Sequence, residues 1–301
     1  MAEQVSFDVP EDLDGERLDK VLAEHFAISR SAARDLTERG VLVDGQPADP
    51  SDRLEGGQRV EAPEPERGEP LLAEPIPFEI LFEDSQVLVV DKPPGVVVHP
   101  GAGNRRGTLA AGLVHRFPEL AEIGPPHRAG LVHRLDKDTS GALLVARTPE
   151  SFRHLTQGLR RREIGRSYVA LVEGSMPAPT GAIEAPIGGD PARPTRRAVI
   201  HGGKPARTNY RVLDEIAGGA LSLLEVTLET GRTHQIRVHL GAISHPVVGD
   251  RVYGSGRYEA PRTFLHATRL EFSHPTTGEH IVVSSPLPED LVATLDRLRT
   301  G

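Results

Sequence analysis

Apolar residues after position 80 are grouped in short runs with the alternation or continuity typical of β-strands. Five of these runs begin at residues 87, 141, 167, 221 and 280, and they read VLVVDKP, GALLVAR, SYVALVEG, LSLLEVTLETG and HIVVSS. Helical spacing is rarer, and it occurs at Phe152, Leu155 and Leu159 and at Leu291, Leu295 and Leu298. Many strands with few helices predict an α+β domain, built on a mixed, mainly antiparallel β-sheet with flanking helices and loops.

The beginning of the chain has a different pattern. GERLDKVLAEHF, from residue 15, and SRSAARDLTERG, from residue 29, both place apolar residues at helical spacing. VLVDGQPA, from residue 41, alternates into an Asp-Gly turn, as a short hairpin does. Two helices and a hairpin predict a small module at residues 1–62, with its core at about 15–61.

Proline and glutamate dominate the stretch that follows this module. APEPERGEPLLAEP, residues 62–75, holds four prolines and four glutamates and has too few apolar residues for a core. We therefore expect a linker at residues 63–76 and a single larger domain at residues 77–301.

The composition excludes several kinds of chemistry. The 301 residues include no cysteine, which rules out disulfides, thiolate nucleophiles and cysteine-ligated zinc. The acidic N-terminus carries no secretory pattern, and no apolar run approaches the length of a membrane span, so we expect a cytoplasmic protein. The formal net charge of -8 argues against general nucleic-acid binding, although the arginines cluster locally.

A compact polar cluster lies between two apolar runs in GLVHRLDKDTSGALLVA, residues 130–146. Asp136 stands there between Arg134 and Lys137, and a neighbouring arginine helps to keep a carboxylate ionised. An ionised, positioned carboxylate can act as a nucleophile or a base. A salt bridge at a turn would use the same residue types, so residue type alone leaves both interpretations open.

Other chemistries fit the sequence less well. Asp136, Asp138 and Ser140 imitate the start of a calcium loop, but its twelfth position falls on Arg147. The spacing of His234 and His239 matches no common zinc pattern, and neither has an evident carboxylate partner. The glycine-rich GAGNRRG from residue 101 lacks the spacing of a dinucleotide loop. We therefore expect no metal and no nucleotide cofactor.

HRLDKDTSG, residues 133–141, resembles the catalytic loop of the large-ribosomal-subunit class of pseudouridine synthases. Further segments resemble parts of that family in the same order along the chain: VLVVDKPPGVVVHPG, SYVALVEG, LETGRTHQIRVHL with HPVVGDRVYG, LHATRLEFSHPTTGE and PLPEDL. The resemblance covers roughly residues 78–300. It implies the pseudouridine synthase fold and the conversion of uridine within RNA to pseudouridine, without a cofactor.

The same resemblance implies roles for four residues. Asp136 would be the catalytic aspartate, and Arg134 beside it can occupy the space that a flipped base leaves. Tyr168 would pack on the target base, and Arg237 would pair with the aspartate. The strand alternation around Tyr168 and the helical spacing around Arg237 are also what ordinary core packing produces.

The N-terminal module resembles the S-four-type RNA-binding module, named after a small-subunit ribosomal protein. The match rests on Arg17-Leu18-Asp19, on Ser29-Arg30 with Ala33, and on Gly40 to Gly45. This implies an RNA partner. The candidate RNA-binding residues are Arg17, Lys20, Arg30, Arg34, Arg160, Arg161, Arg162, Arg166, Arg232 and His234.

The substrate is the less defined part of the hypothesis. The domain combination most resembles enzymes that act on large-subunit ribosomal RNA, while transfer RNA stays open as a substrate. The family commonly has lysine where this chain has Arg166, a change that keeps the charge but alters phosphate geometry. The rival interpretation is an RNA-binding ribosome-assembly factor that kept the fold and lost the activity. We expect a monomer.

Overall fold

The chain has an α+β architecture with two main hydrophobic cores, a small one near the N-terminus and a larger one in the rest of the chain. The computed structural model describes residues 4–26, 28, 30–65, 71–101 and 104–300. Ser29, which the predicted start of the second helix includes, and residues 66–70 of the predicted linker lie outside this range, as do residues 102–103 of the glycine-rich loop. The smaller core is formed within residues 7–62 and the larger one within residues 87–295.

The N-terminal unit contains a four-stranded sheet and two helices. Its elements are β1 (Gln4–Asp8), α1 (Leu18–His25), α2 (Arg30–Glu38), β2 (Leu42–Val43), β3 (Gln46–Pro47) and β4 (Arg59–Pro63). The predicted hairpin joins β2 to β3 through Asp44 and Gly45, both at positive φ, as a tight two-residue turn requires. The acidic start of the chain predicts no strand, yet β1 forms because it pairs with β4 along its length.

A nine-stranded sheet forms the centre of the large domain. Its strands are β5 (Glu79–Glu83), β6 (Val87–Lys92), β7 (Ser140–Ala146), β8 (Gly165–Glu173), β9 (Thr180–Glu184), β12 (Arg207–Ile216), β13 (Leu221–Leu228), β14 (Leu265–Ser273) and β15 (His280–Ser284). The order is β5-β6-β7-β14-β8-β13-β12-β9, with β15 also paired to β14. The described pairs are antiparallel except for β7 with β14. The predicted mixed, mainly antiparallel sheet is thus confirmed.

Helices and one hairpin flank this sheet. They are α3 (Leu109–Arg116), α4 (Pro149–Arg161), the hairpin of β10 (Ile187–Asp190) and β11 (Arg193–Val199), α5 (Gln235–Ala242) and α6 (Glu289–Thr300). Short 3-10 helices lie at Glu11–Leu13, Pro118–Glu122 and Ala217–Gly219. Thr148 caps α4 by accepting a hydrogen bond from the Ser151 N–H, and Pro149 occupies the first turn, where it needs no partner.

Residues 71–76 carry no helix or strand and lie against the large domain. The Glu74 N–H donates to the carbonyl of Ala111 over 3.2 Å, and the Glu74 carboxylate accepts from the Gly107 N–H over 2.6 Å.

Among the described helices, none combines the length and apolar character needed to cross a membrane.

Candidate active site

A cavity of about 580 Å³ opens where the loop before β7 meets β8 and the start of α5. Asp136, Arg134, Tyr168 and Arg237, which are far apart in the sequence, all line it. The volume lies in the range of pockets that hold a small organic ligand. The cavity is therefore the candidate active site.

The turn after β6 holds the loop that carries Asp136. Lys92 is fully buried at the end of β6, and its ammonium donates to the Lys137 carbonyl over 3.0 Å. The Gly95 N–H donates to the same carbonyl over 2.8 Å. Burial lowers the pKa of Lys92 to about 7. Two donors on one carbonyl fix the backbone next to Asp136.

Arg262 holds the other end of the same loop. Its guanidinium donates to the Asp138 carbonyl over 3.1 Å and to the Ser140 hydroxyl over 3.0 Å. Asp290 at the start of α6 anchors this arginine through a 2.6 Å contact. The residues after Asp136 are thus tied to both the sheet and the C-terminal helix.

Asp136 and Asp250 share a single arginine. Arg237 donates to the Asp136 carboxylate over 2.9 Å and to both oxygens of Asp250 over 2.6 and 2.8 Å. Asp250 is fully buried as a side chain and also accepts from the N–H groups of Val252 and Tyr253. Asp136 keeps 16% of its side chain exposed, toward the cavity. Arg237 therefore positions the Asp136 carboxylate and is itself held in place by Asp250.

The protonation states of Arg237 and Asp250 follow from their contacts. Burial alone would lower the pKa of Arg237, but Asp250 and Asp136 raise it well above its usual range. Burial alone would raise the pKa of Asp250, and the hydrogen bonds from Arg237 reverse this and lower it. Arg237 is therefore permanently cationic and Asp250 permanently anionic.

Tyr168 lies on β8 and is 4% exposed, with its side chain at the cavity wall and in the main core. Burial raises the pKa of Tyr168, so the phenol stays neutral. Arg134, in contrast, is exposed at the cavity lining. A fixed aromatic ring and an exposed arginine thus lie on the same cavity.

His234 has a carboxylate neighbour that the sequence does not reveal. It precedes α5 in a left-handed conformation, and its Nε2 lies 4.0 Å from Asp136 Oδ1. Its Nδ1 is 2.9 Å from the Tyr253 hydroxyl, which also accepts from the Arg197 N–H. The sequence shows no evident carboxylate partner for His234, because Asp136 is almost a hundred residues away in the chain. Burial lowers the pKa of His234, against the opposing influence of Asp136.

The predicted RNA-binding arginines of α4 and its surroundings differ in their environment. Arg160 pairs with Glu24 of α1 and Arg162 with Glu229, each over 3.0 Å. Arg161 is exposed and has no carboxylate partner in the described part of the chain. The Arg232 guanidinium lines the cavity and donates to the Pro205 carbonyl over 3.1 Å.

Three of the four predicted residues of the N-terminal unit surround one buried acid. Asp19 is fully buried, and hydrogen bonds from the side chains of Arg17, Arg30 and Arg34 converge on its carboxylate. Lys20 pairs with Glu16 one helical turn earlier. Burial raises the pKa of Asp19, but the three arginines outweigh burial and lower it to about 2.

Sequence reasoning missed Asp250, Arg262 and Lys92 as supports of the site. Asp250 belongs to the segment HPVVGDRVYG, but nothing in that segment indicates a partner thirteen residues earlier. Lys92 and Arg262 donate hydrogen bonds to backbone carbonyls. Every residue has a backbone carbonyl, so the sequence does not indicate which one is the acceptor. No cluster of three or more His, Cys, Asp or Glu side chains suited to a metal occurs among the described residues.

The chain matches two known family models. Residues 86–242 match the family model described as RNA pseudouridylate synthase, and residues 16–60 match the S4 domain. The first match contains Asp136, Tyr168 and Arg237.

Individual relatives extend the likeness over the whole chain. A ribosomal large subunit pseudouridine synthase D of Nitrosomonas europaea is 44% identical, over 98% of this chain and 88% of its own length. The protein of that name from Escherichia coli K12 is 41% identical, over 98% and 94%. The solved structure of human RNA pseudouridylate synthase domain containing 1 has a TM-score of 0.59 at 30% identity, covering 74% of this chain and 89% of that one. The chain belongs to the RNA pseudouridylate synthase family.

Proposed function

We propose that this protein converts specific uridines of large-subunit ribosomal RNA to pseudouridine, with Asp136 as the catalytic group. The observation that carries the proposal is the Asp136 carboxylate, which faces a cavity of about 580 Å³ and is held there by Arg237. The names of the relatives, which are ribosomal large subunit pseudouridine synthases, favour this enzyme over a silent assembly factor and favour ribosomal over transfer RNA.

The reaction is an isomerisation within one nucleotide. The C1′–N1 bond breaks, the uracil rotates, and a C1′–C5 bond forms. The hydrogen on C5 then leaves as a proton, and N1 gains one. Two routes fit an anionic Asp136: the carboxylate attacks C1′, or it removes a proton from the sugar. Both routes require the carboxylate to lie at the sugar, which is why its fixed position matters.

The target base has to leave its stack before it can react. Extrusion of a nucleotide costs a few kcal/mol, and enzymes offset it by contacts to the extruded base and the vacated space. Tyr168 offers its ring to the base inside the cavity, and the exposed Arg134 is free to enter the gap in the RNA. The buried residue, Tyr168, is thus assigned to the extruded base, and the exposed residue, Arg134, to the gap that the base leaves in the RNA.

The RNA needs a binding surface larger than the cavity. We assign it to Arg17, Lys20, Arg30 and Arg34 of the N-terminal unit and to Arg160, Arg161, Arg162, Arg232 and His234 around the cavity. Local clustering of the arginines and Lys20 offsets the net negative charge of the chain, and His234 adds a neutral hydrogen-bonding group. We also propose that the protein is a monomer that acts in the cytoplasm without a nucleotide cofactor.

Release of tritium from RNA transcribed with 5-tritiated uridine tests the proposal directly, because the C5 hydrogen is lost during the reaction. Large-subunit ribosomal RNA is expected to release tritium in proportion to the uridines converted, while transfer RNA transcripts release none. Mapping pseudouridine in ribosomal RNA of cells lacking the protein then identifies the positions. Binding of ribosomal RNA without tritium release would favour the assembly factor instead.

A further inference from the structure

Arg166 is a buried arginine at the cavity whose charge has no partner in the described protein. It lies on β8, two residues before Tyr168 and on the same face of the strand, and it lines the cavity. It is 8% exposed, as is Arg237. Arg237 contacts two carboxylates, whereas no described carboxylate forms an ion pair with Arg166, and its Nε has no hydrogen-bond partner.

The Arg166 guanidinium lies close to Gly231. A Cβ atom on Gly231 would come within 2.8 Å of Arg166 Nη1, so a larger residue there would have to displace the guanidinium. Gly231 lines the same cavity, in the segment before α5. The guanidinium thus lies in the lining of the same cavity as Asp136.

Two further polar groups of the cavity lining lack partners among the described residues. These are His133 Nδ1 and Thr156 Oγ1, and both atoms are buried. His133 Nε2 accepts the Leu144 N–H over 3.1 Å, so a neutral ring carries its proton on Nδ1. Burial, and then the charge of Arg166, lower the pKa of His133 to about 3, so the ring is neutral. His133 therefore offers a donor near the Arg166 cation.

A buried charge without a partner is strongly unfavourable, and buried donors normally have acceptors. A ligand that satisfies this group of side chains has to be anionic and rich in acceptors. Uracil is neutral in the bound substrate, and the sugar hydroxyls are neutral too. The phosphodiester is the charged group of RNA at neutral pH, and its oxygens are acceptors that match a guanidinium fork.

We propose that Arg166, together with His133 and Thr156 of the same cavity lining, forms a phosphate subsite in the catalytic cavity for a phosphodiester that flanks the extruded uridine. The inference rests on the proposed function, since it names the part of the RNA that this cavity binds. The subsite differs from the exposed arginines because it contacts the backbone of the reacting nucleotide itself. It anchors the sugar-phosphate chain while the base rotates.

The first test removes the positive charge of Arg166 and keeps a long side chain at that position. Arg166→Met is expected to raise the Kd for ribosomal RNA about 30-fold, since one hydrogen bond to a charged group contributes about tenfold to a hundredfold. The maximal single-turnover rate of tritium release should stay within about threefold, because a phosphate is bound equally before and during reaction. Arg166→Lys should recover part of the affinity, and Arg211→Met, which removes an exposed, ion-paired arginine outside the cavity lining, should leave it unchanged.

Thermal unfolding separates this role from a structural one. Removal of an unpaired buried charge does not remove a stabilising contact, so Arg166→Met should melt at or above the wild-type temperature. Gly231→Ala should displace only the end of a flexible side chain, and it should weaken RNA binding without unfolding the protein. A lower melting temperature for Arg166→Met together with unchanged RNA affinity would show that Arg166 is a packing residue.

The second test identifies the phosphate. Once the converted uridine is mapped, short RNAs carrying it are made with a neutral methylphosphonate at either flanking position. The wild type should lose about 30-fold in affinity at one of the two positions, and Arg166→Met should lose nothing further there. Equal losses for both proteins at both positions, or a slower maximal rate at unchanged affinity, would overturn the phosphate subsite. Absence of tritium release by the wild type would overturn the proposed function instead.

Discussion

The N-terminal unit places one acid beneath several bases. Asp19 is buried, while Arg17, Arg30 and Arg34 around it are partly exposed. The carboxylate holds the guanidiniums in place and neutralises only one of their three charges. The surface that results is cationic and pre-arranged, which suits a polyanion such as RNA.

The catalytic cavity has the opposite arrangement. There the buried group is the base, Arg237, fixed by the buried Asp250, and the more exposed group is the acid, Asp136. The same ion pair chemistry thus presents cations at one site and a carboxylate at the other. What each site offers to RNA is decided by which partner is buried, because the buried partner orients the exposed one.

The largest effect in this comparison is expected from the exposed acid. Asp136→Asn should lower the rate of tritium release at least about 10³-fold, because it removes the group that acts on the sugar. RNA affinity should change little, since the arginines of both regions stay in place. Single-turnover rates and filter binding measure the two quantities. Isomerisation at the wild-type rate would overturn the assignment of Asp136.

Substitution of Asp250, the buried acid that anchors Arg237, should have the next largest effect on the rate of tritium release. Asp250→Asn leaves Arg237 without its anchor, so we expect the rate to fall about 100-fold through misplacement of Asp136. Breaking a buried pair should also lower the free energy of unfolding by about 3 kcal/mol. Denaturant titration and tritium release measure both. Asp214→Asn, which breaks the exposed pair with Arg299, is the matched control and should change neither by much.

The buried acid of the N-terminal unit should affect binding rather than rate. Asp19→Asn frees the three arginines from their common anchor, and we expect RNA affinity to fall about tenfold at an unchanged maximal rate. A larger effect on the rate than on affinity would show that the two regions are not separable in this way.

The pH dependence of stability gives an independent measure of Asp19. Its folded pKa of about 2 is below the ordinary value of 3.8, so its stabilisation is present above pH 3.8 and is lost as the pH falls toward 2. The contribution is no more than about 2 kcal/mol, because the exposed arginines are screened by water. The stability difference between wild type and Asp19→Asn should therefore shrink with falling pH, and a constant difference would argue against the cluster.

The smallest effect is expected from the exposed Arg161 and Arg162 at the end of α4. Arg161→Glu with Arg162→Glu should lower RNA affinity several-fold and reduce the slope of log affinity against log salt by about one for each phosphate that is no longer neutralised. Arg153→Glu, on the same helix and paired with Glu150, is the control. Unchanged salt slopes in the double variant would remove this run from the RNA-binding surface.

The local elements and the position of the catalytic loop were accessible from the sequence. Periodicity predicts α4 and α6, and Asp44-Gly45 predicts the hairpin of the N-terminal unit, because these depend on neighbours a few residues apart. The strand β1 and the hairpin of β10 and β11 escape such reasoning. They carry weak patterns, and β1 forms through pairing with a distant strand.

The sequence by itself determined the α+β class and the segment that carries Asp136, since apolar periodicity and a contiguous run of residues are properties of the chain. Only the tertiary structure decided which charges are paired. Arg237 meets Asp136 across 101 positions and Asp250 across 13, while Arg166 is buried without a carboxylate. The physical reason is that burial and ion pairing depend on which strands and helices meet in space, and residue spacing along the chain does not encode that distance.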